Sequence, residues 1–245
     1  MHYKIDPGIN SGIVLMRAGK LAAFMTVDGF GGEELESAAI ATSEQDWQTM
    51  LPVIRTHAKA AGAERVLFIC DAQDQTVEPA VQALCGAPLN SEYRMVFSGE
   101  VSPLENINIH LRPATTADLS TIRALDAAAF GAQPTEETTA QNHIADEQEQ
   151  QDLLNTRIIE RAGQTVGKLR IEHAQSMCGI YGLVVTPTLR GEGIGTQALQ
   201  LILHEFASRE NVYLEVDTAN HAALHVYKKC GFGILAQFDY YPLSL

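Results

Sequence analysis

Basic residues are scarce in this 245-residue chain: Lys and Arg number 17 against 30 Asp and Glu, a formal charge of -13. A phosphate backbone is gripped by clustered Lys and Arg, so the balance excludes nucleic acid as an expected partner. Charged residues make up 19% and hydrophobic ones 46%, which excludes a disordered chain and leaves one large domain or two small ones. The acidic excess aids solubility and can also draw in a cationic amine. Cysteine is thin as well. Cys70, Cys85, Cys178 and Cys230 stand far apart, with no C-x-x-C and no Cys/His ligand spacing, so neither a disulfide framework nor a metal set is expected. Three of them lie in apolar runs, as core thiols do, and a reducing, cytoplasmic setting is expected. Long hydrophobic runs are lacking too. Met177 to Leu189 contains Gly and Pro and is too short to span a bilayer, and Met1 to Pro7 lacks the apolar stretch of a signal peptide. No membrane partner is expected.

What is there is a repeat. Arg17-Ala18-Gly19 recurs as Arg161-Ala162-Gly163, Val66 to Asp71 matches Val212 to Asp217, and Cys85-Gly86 matches Cys230-Gly231. The offsets run only from 144 to 146, which points to two copies of one unit. In the second copy, Ile107 to Arg112 alternates like a strand, and Thr115-x-x-Asp118 starts a helix carrying Leu119, Ile122 and Leu125. Glu136 to Gln151 is a polar loop with a short helix. Thr156 to Arg161, Val166 to His173 and Cys178 to Val185 are strands. Leu199, Ile202, Leu203 and Phe206 mark a helix face, and Val212 to Val216 a strand. A second helix runs from a cap at Asn220 to Gly231, and Ile234 to Pro242 is a final pair of strands. The first copy shows only the later part of this order. It has a hairpin at Ile13 to Met16 and Leu21 to Val27, and a strand at Leu35 to Ala41. A helix carries Trp47, Met50, Leu51 and Ile54, and a strand follows at Arg65 to Cys70. A helix carrying Val77, Val81 and Leu84 precedes a strand at Tyr93 to Phe97. The opening strand and helices are missing. The expected domains are 1–102 and 103–245, divided within Gly99 to Asn106.

Chemistry concentrates in Val184-Val185-Thr186-Pro187-Thr188-Leu189-Arg190-Gly191-Glu192-Gly193-Ile194-Gly195-Thr196. A buried strand ends at Pro187 and a Gly-rich turn feeds an amphipathic helix. The first N–H groups of that helix have no intrahelical partner, the helix dipole makes that end positive, and glycines admit a pyrophosphate to the backbone. No Gly-Lys-Ser/Thr follows, so this is not a P-loop. Thr196 stands where a dinucleotide fingerprint needs its last glycine.

Arg190, Gly193 and Gly195 match R-x-x-G-x-G, and Asn220-x-x-Ala223-x-x-x-Tyr227 is followed by Gly231-Phe232. On these motifs the chain resembles the GNAT (GCN5-related N-acetyltransferase) superfamily, in full from Ile107 to Leu245 and by topology alone before that. The resemblance implies an α/β (α+β) fold of two GNAT-like units, each a mixed, mostly antiparallel sheet flanked by helices, the first incomplete. It implies acetyl-CoA as cofactor, with its pyrophosphate on the backbone of Arg190, Gly191, Gly193, Ile194, Gly195 and Thr196. The pantetheine arm would pair with Leu183, Val184 and Val185 and meet Asn220, and Tyr227 would protonate the departing thiolate. Plainer readings stand beside these: Asn220 as a helix cap, Tyr227 as a core aromatic, and His221 and His225 as solvated helix positions.

An amine with an unperturbed pKa near ~10 must lose a proton before it attacks a thioester. The family often places a Glu on the strand before the loop, but Cys178 to Leu183 has no carboxylate. Glu172 and Glu215 on the flanking strands, or a water relay through Tyr181, are the alternatives. In the first half the loop position reads Thr42-Ser43-Glu44-Gln45-Asp46-Trp47, with two acids and no glycine, and Gln82 stands opposite Tyr227. It is expected to be a degenerate copy. The expected activity is acetyl transfer to a primary amine, of a small cationic molecule by the acidic balance, with a peptide amine as the other class. A homo-oligomer is compatible. The rival readings are a non-catalytic acyl-CoA-binding module and a purely structural tandem protein.

Overall fold

The computed structural model of this chain describes residues 2–6, 12–26, 34–130 and 150–245. These fall into two compact units, Met1–Tyr93 with Ala236–Leu245, and Arg94–Leu235. The first unit thus includes the last ten residues of the chain, and residues 94–102 fall in the second.

The first unit opens with β1 (His2–Asp6), β2 (Gly12–Arg17), β3 (Lys20–Thr26) and β4 (Glu34–Ala41), each antiparallel to the next. Helix α1 (Glu44–Ala60) carries the chain over to β5 (Arg65–Asp71), which lies parallel to β4, and α2 (Val77–Cys85) follows. On its other side β5 is paired antiparallel by residues 238–244 of β12 (Phe232–Ser244). With neighbours on both edges and a helix above, β5 buries Val66, Leu67, Phe68 and Cys70, the near-continuous apolar run typical of a central strand. Trp47, Met50 and Ile54 form the buried stripe of α1, and the Trp47 ring meets Phe68 edge-on with centroids 5.3 Å apart. Two expectations change here. β12 is one continuous strand, not a pair, since residues 234–241 hold no Gly, Pro or Asn to make a turn. The opening strand is present as β1. Only residues 7–11 separate β1 from β2, whereas 114–155 separate the corresponding strands of the second unit.

The second unit contains β7 (His110–Pro113), α3 (Leu119–Phe130), β8 (Thr156–Arg161), β9 (Gln164–Ala174) and β10 (Met177–Val185). It continues with α4 (Ile194–Phe206), β11 (Asn211–Asp217), α5 (His221–Lys229) and the start of β12. Its strands run in the order β6 (Asn90–Phe97), β11, β10, β9, β8, β7. The β10–β11 pair is parallel and the pairs from β7 to β10 are antiparallel. The mixed, mostly antiparallel α/β architecture is thus the one expected. Thr115 and Asp118 close a capping box ahead of α3, and Arg112 grips the Asp118 carboxylate through both Nη atoms at 2.8 and 2.7 Å. The polar segment expected from Glu136 falls, up to residue 149, outside the described residues.

Backbone geometry carries the repeat more clearly than residue identity. Ala18 and Gly19 have φ of 51° and 76°; Ala162 and Gly163 have 53° and 74°. Both hairpins therefore turn through two successive left-handed residues, and both shift register just before the turn, after Leu15 and after Ile159. In each unit the parallel strand pair also stops at the same place, Ala38 opposite Ile69 and Ile180 opposite Leu214.

The two helices that follow these pairs begin differently. At α1, Ser43 is the N-cap, and the Asp46 carboxylate, buried, accepts from Ser43 Oγ at 2.6 Å, Thr42 Oγ1 at 2.8 Å and Arg17 Nη2 at 2.9 Å. This helix end carries its own anion. The Ser43 hydroxyl above all, then Thr42 and Arg17, hold the Asp46 carboxyl below the usual carboxylate range against the opposing effect of burial. A depressed folded-state pKa stabilises the fold above the unfolded value near ~3.9, and that stability is lost as pH falls through the folded value. Asp46→Asn is expected to destabilise the protein by about 1–3 kcal/mol at pH 7. In urea unfolding, the gap to wild type should narrow below about pH 4; a gap independent of pH would show that the charge is not its source.

Candidate functional site

The site grows from β10. Its parallel pairing with β11 runs from Met177 opposite Asn211 to Ile180 opposite Leu214 and then ends, although both strands continue. Against β9 on the other side, the register shifts between Tyr181 and Val184, around Gly182 at φ 51°. This is a bulge, and it bends the strand. Beyond the bulge β10 keeps its bonds to β9 through Val184 and Val185 while its other edge has left β11. The expected pantetheine strand, Leu183, Val184 and Val185, is this open edge. One of its carbonyls is engaged, since Val185 O accepts from Arg190 Nε at 3.2 Å.

The open edge leads into the glycine loop. Pro187–Leu189 makes one 3-10 turn, Arg190 is extended, and Gly191 and Gly193 sit at φ 85° and 81°, a region that favours glycine. Gly193 is the N-cap of α4, and no side chain caps the helix. The N–H groups of Ile194, Gly195 and Thr196 are therefore without intrahelical acceptors. Ile194 is buried and anchors the turn, whereas Arg190, Gly191, Glu192 and Gly193 are exposed. A Cβ on Gly195 would lie 3.9 Å from Val185 and 4.0 Å from Leu183, so the first turn of α4 sits directly on the end of β10. Glu192, the one acid of the loop, is paired with Arg161 Nη1 at 2.7 Å. An uncapped helix N-terminus beside an unpaired strand edge suits a ligand with an anionic group and an extended amide-bearing arm.

Asn220 is the N-cap of α5, its Oδ1 accepting from Ala223 N at 3.1 Å, so the capping reading is realised. The amide nitrogen and the second lone pair of Oδ1 are not used by the cap. Tyr227, half-buried on α5, packs its ring against Phe232 at 6.2 Å. Burial, then the neighbouring Cys230, pushes its hydroxyl up to about 12. A tyrosine is protonated at neutral pH in any case, as a general acid must be, and the shift leaves that unchanged. His221 and His225 are both exposed on α5, as solvated positions are.

The candidate bases lie on one face of the sheet. His173, opposite Cys178, touches Phe206 of α4, so Cys178 and Ile180 point to the α4 side. Alternation then puts Glu172, Gly179, Tyr181, Tyr213 and Glu215 on the other face. There Glu215 Oε1 accepts from Arg94 Nε at 2.8 Å and Nη2 at 2.5 Å, and Glu172 is paired with Arg170 Nη2 at 3.1 Å. Both carboxylates are thus committed to guanidinium partners. Between them the Tyr181 and Tyr213 hydroxyls meet at 2.7 Å. No motif in the sequence marks Tyr213; the one signal for it is Gly179, a glycine inside a buried strand with no turn to make.

In the first unit the corresponding place holds a cavity of about 340 Å³ lined by Ser43, Glu44, Gln75, Thr76 and Ala80. It offers no glycine, and the helix end above it is already occupied by Asp46. Among the described residues, His173, Cys178 and Glu210 bring one nitrogen, one sulfur and one oxygen within 4.8 Å of one another, a grouping that no spacing in the sequence suggested. His173 Nδ1 is hydrogen-bonded to Glu210 at 2.8 Å, and burial above all pushes the Cys178 thiol up to about 12, so packing accounts for the group. No helix among the described residues is long and apolar enough to cross a membrane.

Residues 119–232 match the family model of the acetyltransferase (GNAT) family. No curated protein matches the chain. Among solved structures, a GCN5-related N-acetyltransferase from Sphaerobacter thermophilus is 17% identical, with a TM-score of 0.71 over 96% of this chain and 81% of that one. A GCN5-related N-acetyltransferase from Kribbella flavida is 11% identical, with a TM-score of 0.65 over 90% and 86%. A tandem GNAT protein from the clavulanic acid biosynthesis pathway is 14% identical, with a TM-score of 0.63 over 96% and 82%. At such identities the likeness is one of fold. It spans both units, and within it the stretch from α3 to the start of β12 is the part that matches the GNAT acetyltransferase family model.

Proposed function

We propose that the second unit transfers an acetyl group from acetyl-CoA to the primary amine of a small cationic molecule, in a reducing cytoplasm, and that the first unit is a degenerate copy without CoA. The observation that carries the reading is the parting of β10 and β11 directly above the uncapped N-terminus of α4. Arg190, Gly191, Gly193, Ile194, Gly195 and Thr196 would hold the pyrophosphate, chiefly through backbone N–H groups. The edge of Leu183 to Val185 and the Asn220 amide would hold the pantetheine. Acetyl-CoA supplies the activated carbonyl. Tyr227, protonated at neutral pH, donates a proton to the leaving sulfur. The acidic balance of the whole chain favours a cationic amine, and Glu172 and Glu215 remain the carboxylates on hand as bases. A non-catalytic acyl-CoA-binding module is the second reading, favoured by one observation: both candidate carboxylates are engaged by arginines.

Gly195 is the cleaner probe of the cradle, because its φ is not in the left-handed region and a Cβ there meets only ordinary contacts. Gly195→Val is expected to lower CoA affinity at least roughly tenfold by calorimetry with little change in Tm, since the side chain stands where the pyrophosphate approaches. Glu44→Gln in the first unit should leave one CoA bound per chain at unchanged affinity. Two sites per chain would overturn the degenerate assignment.

Tyr227→Phe keeps the ring against Phe232 and removes only the hydroxyl. Thiol release with acetyl-CoA and an amine panel should fall roughly 10²-fold while CoA affinity holds. A variant with wild-type turnover would refute the acid role, and wild-type protein that binds CoA yet acetylates no amine would favour the binding module.

A further inference from the structure

Gly179 lies in the middle of β10, buried, between strands on both sides, with an ordinary φ that any residue adopts. A glycine there weakens a strand and needs a reason. A Cβ at this position would stand 2.6 Å from Tyr181 Cε2 and 2.9 Å from both Cζ and the hydroxyl of Tyr213. The glycine makes room for two rings to close over it. They meet edge to face, centroids 6.2 Å apart, with their hydroxyls hydrogen-bonded at 2.7 Å. Each ring carries a guanidinium on its outer side, Arg170 at 5.5 Å from Tyr181 and Arg94 at 5.8 Å from Tyr213. Each guanidinium is held in turn by carboxylates, Arg170 by Asp152 and Glu172, Arg94 by Glu215. The pair is therefore fixed from both sides.

Its place is the vertex where β10 and β11 part. Tyr213 precedes the last paired residue of β11, and Tyr181 follows the last paired residue of β10. An arm running back along β10 from the glycine loop covers about 13 Å between Val185 and Tyr181. Resting on the acetyltransferase reading above, we propose that the Tyr181–Tyr213 hydroxyl pair is the relay that takes the proton from the acceptor ammonium. The ammonium gives a proton to one hydroxyl oxygen as that hydroxyl passes its own across the 2.7 Å bond. The second hydroxyl releases a proton to water in the cleft. Both tyrosines end neutral, and the amine is left with its lone pair. Neither hydroxyl has to ionise fully, which suits Tyr181, whose hydroxyl burial and then the bond to Tyr213 hold well above the ordinary range. The relay also needs no carboxylate on β10 and no base among residues already committed to arginines.

The test compares two acceptors. Putrescine is an alkylammonium at pH 7 and must lose a proton; methoxyamine is already neutral. With putrescine, Tyr181→Phe and Tyr213→Phe should each lower kcat roughly 10²-fold, and the double variant should be no slower than either single one, because one break disables a relay. With methoxyamine all three variants should stay within about threefold of wild type. Equal losses with both amines, or losses that multiply in the double variant, would show that the rings only shape the cleft and would overturn the relay. A second readout needs no turnover. In carbon-13 tyrosine NMR at neutral pH, Tyr213→Phe should move the Tyr181 Cζ resonance, which reports the hydrogen bond at its hydroxyl; an unmoved resonance overturns the coupling. Wild-type protein that acetylates neither amine defeats the acetyltransferase reading and the relay together, whereas wild-type transfer untouched by Tyr213→Phe defeats the relay alone.

Discussion

Parallel strands share hydrogen bonds only while their backbones stay about 4.8 Å apart, and β10 abandons that spacing after Ile180. The bulge at Gly182 lets it do so without losing β9, which it rejoins at Val184. Gly167 permits the close approach on that side, where a Cβ would collide with Val184 O. Every other part of the site depends on this divergence. It exposes a strand edge, brings the start of α4 against Val185, and sets Tyr181 and Tyr213 at its vertex.

The two units show what a helix terminus can become. Both parallel pairs stop at equivalent residues and both are followed by a helix. In the second unit Gly193 is the N-cap, and no side chain meets the first N–H groups of the helix. In the first unit Asp46 supplies the anion from within the chain, with Ser43, Thr42 and Arg17 around it. An internal carboxylate gives stability where an external phosphate would have given binding. The same framework thus ends in a capped helix in one unit and in an uncapped one in the other.

Charge in the second unit follows a similar logic. Glu172 and Glu215 lie on the sheet face opposite α4 and are held by Arg170 and Arg94. Those same guanidiniums stack on the tyrosine rings. The carboxylates orient the arginines, the arginines fix the rings, and the hydroxyls are the groups left pointing at one another.

Local pattern was enough for much of this. The R-x-x-G-x-G spacing located the uncapped helix, the apolar stripes of α1 and α4 marked their buried faces, and Asn220 and Thr115 announced their caps. These features are written within a turn or two of chain, where periodicity and capping chemistry act directly. Partner choice between strands is not local. No residue in 236–245 announces that the strand pairs with β5 of the first unit, because its alternation fits any open edge. The meeting of Tyr181 and Tyr213, thirty-two residues apart, follows from the register of β10 on β11. The arginine partners of Glu172 and Glu215, and the closing of α1 by Asp46, likewise needed neighbouring strands brought together. Helix faces, the caps at Asn220 and Thr115 and the glycine turn are written in local sequence, whereas β1 and the unbroken course of β12 are not. Which edges pair, and which hydroxyls and charges meet, is settled by packing across distant segments.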